Sequence, residues 1–192
     1  MKKLFFALIG LFLTTSTVSV AQIQNIDSML DKVISLQKSG DNKALGDALG
    51  VLSKGLETEA NETGGDFKAG LLNQVSGLNK MIPLASRGMV KAGPLQKIIS
   101  TIKLMLGANR VGNLLNGGGS LMGKASLLKS GLGMMKGGSS ILGGNANQFS
   151  GLIDGAMGNV NKLSGGGIAA QAAEKALPGQ LGGILNMAKG IL

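Results

Sequence analysis

The chain has 192 residues, with 19 Lys and Arg against 10 Asp and Glu, and it contains no His, Cys, Trp or Tyr. That composition excludes disulfide staples and imidazole or thiolate metal sites, and the scarcity of aromatic residues argues against aromatic-platform binding of single-stranded nucleic acid. A core must therefore be built from Leu, Ile, Val, Met and Ala.

The N-terminus carries Lys2 and Lys3, then the apolar run Leu4–Leu13, then a small polar stretch ending Ser19-Val20-Ala21. This order of features predicts a signal peptide over 1–21, cleaved after Ala21, and hence an exported protein, periplasmic or extracellular. No later apolar run is long and charge-free enough to cross a bilayer.

Downstream, the spacing of apolar residues is helical. Ile26, Met29, Leu30, Val33 and Ile34 form one stripe, and Gly40 stands where a terminating glycine belongs. Asp41 is placed to cap a second helix carrying Leu45, Leu49, Leu52 and Leu56. Residues 57–66 read as a polar, acidic loop. Asp66 then caps a third helix with Phe67, Leu71, Val75, Leu78 and Ile82 on one face, limited by Pro83. A short segment, 84–92, leads to Pro94 in the first turn of a fourth helix. Leu95, Ile98, Ile99, Ile102, Met105 and Leu106 make its stripe, and Gly107 is expected to end it.

From 107 onward there are 22 glycines in 86 positions, yet the apolar pattern persists. Leu121, Met122, Leu127, Leu128, Leu132 and Met135 form a loose stripe. Phe149, Leu152, Ile153, Ala156, Val160 and Leu163 form a regular one. Residues 137–144 between them read as a glycine-rich hinge, with Ile141 and Leu142 docked on the bundle and Asn145 or Asn147 capping the next helix. Helices over Ile168–Leu177 and Leu181–Leu192 complete the chain. Glycine costs a helix about 1 kcal/mol relative to alanine, so its abundance calls for a purpose. The pairs Gly119/Gly123, Gly133/Gly137, Gly151/Gly155 and Gly179/Gly183 each put two glycines on one helix face, the arrangement that lets backbones approach. Gly151 and Gly155 are expected at such a contact.

The fold class expected is all-α: a bundle of seven to nine short, glycine-rich amphipathic helices after the signal peptide. Two regions, 22–106 and 107–192, should pack as one domain. Charge divides the chain differently. Residues 22–66 hold four Lys and eight acids; residues 67–153 hold ten Lys or Arg and no acid; residues 154–192 hold three Lys and two acids. An acid-free basic stretch suits an anionic partner such as a lipid headgroup or a polysaccharide.

Motifs with chemical meaning are weak. Gly118-x4-Gly123-Lys124 resembles a phosphate loop but is followed by Ala125, where Ser or Thr would ligate magnesium. Ser-x-x-Lys occurs at Ser35–Lys38, Ser100–Lys103 and Ser126–Lys129, without the Lys-Thr-Gly partner of serine penicillin-recognising enzymes. Glu57, Glu59, Glu62 and Asp66 lack a calcium-loop pattern, and Asp154 and Glu174 stand isolated in sequence. No catalytic, cofactor-binding or metal-binding residues are assigned. The expectation is a non-enzymatic exported protein with a structural or interaction role in the envelope or outside the cell. The alternative is a membrane-active protein whose basic Gly- and Met-rich half, 104–192, binds or inserts into anionic bilayers. Nucleic acid is not an expected partner. A second copy of the chain is among the candidate partners; the glycine faces read as tight helix–helix packing in water and as an oligomerisation face in lipid.

Overall fold

The structure, a computed structural model, describes residues 20–190 and 192, with side chains from Ile26 onward. The predicted signal peptide, apart from Val20 and Ala21, lies outside the described residues. Among those residues there are seven α-helices and no strand: α1 Val20–Ser39, α2 Asn42–Thr63, α3 Lys68–Ser86, α4 Ala92–Asn116, α5 Ala125–Gly138, α6 Ala146–Leu163 and α7 Gly167–Lys189. Three 3₁₀ segments, Gly65–Phe67, Met122–Lys124 and Ser139–Asn145, lie in the connections. The all-α expectation holds, but the helices are not short. They run from 14 to 25 residues.

Each stripe read from the sequence turns inward. Ile26, Leu30 and Val33 of α1, and Leu45, Leu49, Leu52 and Leu56 of α2, are buried. Asp41 caps α2 as expected, its carboxylate accepting from the Ala44 amide at 3.1 Å. Successive helices form antiparallel pairs. Ser53 of α2 donates to Asn79 Oδ1 of α3 at 2.7 Å, while Gly46 lies beside Ala85 and Ser86. Asn159 of α6 bonds Gln180 of α7 across the turn at 164–166.

Helix α4 is the axis. It touches α1, α3, α5 and α7, and every residue from Leu104 to Val111 is buried, so two full turns have no solvent face. Gly107 sits in the middle of this stretch. It does not end the helix, as its place after the apolar stripe suggested; it faces α5 at close range. A Cβ on Gly107 would lie 2.5 Å from Gly131 O, and one on Gly138 would lie 2.5 Å from Ser100 O. Both distances are impossible for real atoms, so α4 and α5 cross backbone against backbone. The small residues that permit this, Ser100 and Gly107 on α4 and Gly131 and Gly138 on α5, are seven apart on each helix, not four.

Other expectations need correcting. Residues 57–63 are the last two turns of α2, not a loop, because Glu59 and Ala60 face inward and continue its buried side. Asp66 does not cap α3; it lies in the 3₁₀ turn and pairs with Lys189 at 2.6 Å. Pro83 does not limit α3, which runs on to Ser86: in the last turn the missing N–H costs one bond and the helix is already packed. Pro178 likewise sits inside a single α7, where two helices were expected, because Leu177 and Leu181 on either side of it are both buried.

The hinge reading of 137–144 holds in part: the helix breaks over Ser139–Asn145, while Gly137 and Gly138 belong to α5. Helix α5 ends at Gly138, Gly143 adopts φ +54° and α6 starts at Ala146, with Leu142 buried and Ile141 packed against the core. Asn145 occupies the cap position but makes no side-chain cap. Gly151 and Gly155 contradict their expectation. Neither has a heavy atom within 4 Å of where a Cβ would stand, and Leu152 beside them is 44% exposed. The buried face of α6 is Phe149, Ile153, Ala156, Val160 and Leu163, and the glycines lie on the other side.

Candidate functional site

Polar side chains gather where α1 crosses α4. Asp27 and Asp31 are four apart on α1 and share a face. Lys103 and Arg110 are seven apart on α4 and share another. The antiparallel crossing matches them: Asp27 Oδ2 accepts from Arg110 Nη1 at 3.0 Å, and Asp31 Oδ1 accepts from Lys103 Nζ at 2.5 Å. The Arg110 side chain is 8% exposed and its Nη1 also rests against the sulfur of Met134. Asp27, Asp31 and Lys103, with Ser130, Gly133 and Met134 of α5, line an open cleft of about 230 Å³. On the other side of Arg110 a smaller cleft of about 130 Å³ is lined by Glu59, Thr63, Asn113, Leu114, Leu127 and again Ser130.

Burial pushes the Asp27 carboxyl above its ordinary value; the Arg110 charge and hydrogen bond, and the Lys103 charge, pull the other way without cancelling it. Its Oδ1 is buried with no hydrogen-bond partner among the described residues. Chemically the arrangement is a clasp: each charge has an opposite charge on another helix, and breaking it would free α1 from α4. Next to it, Asn109 Nδ2 and Asn113 Nδ2 both donate to Thr63 O, at 2.6 and 3.3 Å, satisfying a carbonyl at the end of α2.

This cluster was missed in the sequence because α4 was expected to stop at Gly107. Had the helix been extended, Lys103 and Arg110 would have fallen on one face, and an arginine beside Leu106 and Val111 would have demanded a partner.

The motifs that were singled out go elsewhere. Lys124, the lysine of the phosphate-like loop, donates to Leu114 O at 3.2 Å and to Gly118 O, and so caps the end of α4. The loop nevertheless holds an anion, and it is the chain's own. Glu174 Oε1 of α7 accepts from Ser120 Oγ at 2.6 Å and from the Leu121 amide at 2.7 Å. The Ser120 hydroxyl first, then the amide, holds this carboxyl below its ordinary value. Glu174 and Asp154 are thus not isolated, since Asp154 pairs with Lys136 at 2.6 Å. Of the Ser-x-x-Lys pairs, Ser100 bonds Ser140 at 3.1 Å while Lys103 is taken by Asp31; Ser35 and Ser126 are exposed. The four acidic residues do not converge. Glu59 is buried and accepts from Thr63 at 3.0 Å, Asp66 pairs with Lys189, and Glu57 and Glu62 face solvent. Among the described residues no group of three acids could hold a metal ion. No family model, no curated protein and no solved structure matches this chain.

Proposed function

We propose that this is an exported, non-catalytic helical protein with a structural or interaction role in the cell envelope or outside the cell. The observation that carries this reading is the outward face of the last helix pair. Gly151, Gly155 and Gly158 on α6, and Ala172, Ala176, Gly179 and Gly183 on α7, lie along the solvent sides of their helices with Leu152 among them. Each glycine there weakens its helix and gains no contact within the fold. A stripe of small residues on an exposed helix instead admits another backbone at short range, and the first partner expected is a second copy. The polar cleft supports the same reading, because its charges tie helices together.

Two measurements test it. Fractionation of producing cells should place the chain outside the cytoplasm with residues 1–21 removed. Sedimentation equilibrium should show self-association that Gly155→Lys abolishes without lowering the melting temperature. A chain retained in the cytoplasm overturns the export reading, and one monomeric up to millimolar concentration overturns the interaction reading of α6 and α7.

The membrane alternative drawn from 104–192 loses support where its cations are engaged within the fold. Arg110, Lys136 and Lys189 pair with acids, and Lys124 caps α4. No helix among the described residues is long and apolar enough to cross a membrane. A tighter group of cations without acids lies elsewhere, at the turn between α3 and α4.

A further inference from the structure

We propose that the turn between α3 and α4 is a contact site for an anionic lipid bilayer, with Leu84 and Met89 entering the headgroup region and Arg87 and Lys91 holding lipid phosphates. This rests on the export reading, which puts the chain beside a membrane.

Helix α3 ends in a tight reversal in which the Gly88 amide donates to Ala85 O and the Met89 amide donates to Leu84 O, both at 2.9 Å, with Gly88 at φ +68°. This double bond pattern brings the residue after the glycine back over the last helical turn, so Leu84 and Met89 form one apolar knuckle. In an ordinary cap that knuckle is covered by the core. Here Leu84 is 39% and Met89 50% exposed, and the neighbouring Pro83 and Pro94 also face solvent.

On α3, on α4 and in the turn between them, the charge around the knuckle has one sign. Arg87 lies within the turn, Lys91 is the cap position of α4, and Lys80 and Lys97 lie further along the two helices. Among the described residues none of these four is paired with an acid. The Lys91 side chain makes no cap and no acid stands in the first turn of α4, so the positive end of a 25-residue helix adds to the field. The adjacent α1–α2 turn, where Asn42 sits against Gly88, brings Lys38, Lys43, Asp41 and Asp47. Its two acids are already engaged, Asp41 with the Ala44 amide and Asp47 with Lys43.

An exposed apolar knuckle inside a collar of unpaired cations fits a surface that is anionic outside and hydrocarbon beneath. A soluble polyanion would satisfy the cations and leave Leu84 and Met89 in water.

The chain has no cysteine, so single replacements can report position. Full-length Met89→Cys carrying an environment-sensitive fluorophore is mixed with phosphatidylglycerol–phosphatidylcholine vesicles and with phosphatidylcholine vesicles. Leu152→Cys and Ile168→Cys, also exposed, serve as controls on α6 and α7. The expected result is a blue shift at position 89 with anionic vesicles alone, weakened by salt. The added pair Arg87→Gln and Lys91→Gln should reduce vesicle affinity by roughly fivefold per charge. A shift at 152 or 168 and not at 89 would mean that another face meets the membrane, and would overturn the proposal. So would an equal shift with neutral vesicles, no shift at any position, or tight binding to a soluble sulfated polysaccharide with no shift on vesicles. None of these outcomes bears on the fractionation result, so the export reading stands or falls separately.

Discussion

Two helix pairs in this molecule are rich in glycine, and they use it in opposite ways. At the α4–α5 crossing Gly107, Gly131 and Gly138 are buried, and each missing Cβ is space occupied by the other helix: Gly131 O, Val111 Cγ2 and Ser100 O stand at 2.5, 2.9 and 2.5 Å from where those carbons would be. On α6 and α7 the glycines at 151, 155, 158, 179, 182 and 183 have nothing within 4 Å. The first set converts a loss of helix propensity into closer packing. The second accepts that loss with no compensating contact inside the fold. Both pairs are glycine-rich, and only the direction each glycine faces separates them.

The strongest response should come from the crossing. Gly138→Ala should lower stability by about 3 kcal/mol, because its methyl group meets backbone at Ser100 and Leu104 that cannot move alone. Gly107→Ala should behave alike, and denaturant unfolding of either variant measures it. If both melt like the parent chain, α4 and α5 stand further apart than described. Next comes the clasp on the same stretch of α4. Arg110→Met strands the Asp27 carboxylate and should cost about 2 kcal/mol. That is less than the roughly 3–5 kcal/mol of a fully buried pair, since the Asp27 side chain is 27% exposed. The double variant Asp27→Leu and Arg110→Met should recover most of the loss.

The solvent-facing glycines should respond with the opposite sign. Gly151→Ala, Gly155→Ala and Gly158→Ala should each stabilise by about 0.5–1 kcal/mol, the helix propensity gained with nothing displaced. A destabilised Gly155→Ala would show a hidden contact and erase the contrast between the two pairs. The gentlest probe is acid. Glu174 and Asp66 anchor α7 with carboxyls held below their ordinary values, so the stability they give is present above about pH 4 and is lost as pH falls through their folded-state values. Asp27 anchors α1 with a raised value. Its protonated form is favoured by folding, so its contribution is present at low pH and is lost as pH rises through the folded-state value. Hydrogen-exchange protection, taken relative to the intrinsic rate at each pH from neutral down to about 3, should therefore fall at the two anchors of α7 before it does in α1, and Glu174→Gln should remove the acid sensitivity near Ser120.

The linear order of residues was enough to say which face of each helix is buried. Leu45, Leu49, Leu52 and Leu56, or Phe149, Ile153, Ala156 and Val160, repeat at helical spacing, and burial of apolar area is local to that pattern. It also carried the Asp41 cap and the break near Gly143, which depend on residues close along the chain. It misplaced ends and partners. A glycine after an apolar stripe, a proline near a helix end and a run of glutamates are local signs of termination, and packing outweighed them at Gly107, Pro83, Pro178 and Glu59. Which glycines touch, and which acids meet Arg110, Ser120 or Lys189, depends on residues 24 to 123 positions apart. Those pairings have no local signature, because the free energy that selects them comes from fitting α4 between its neighbours, and that fit exists only in the folded chain.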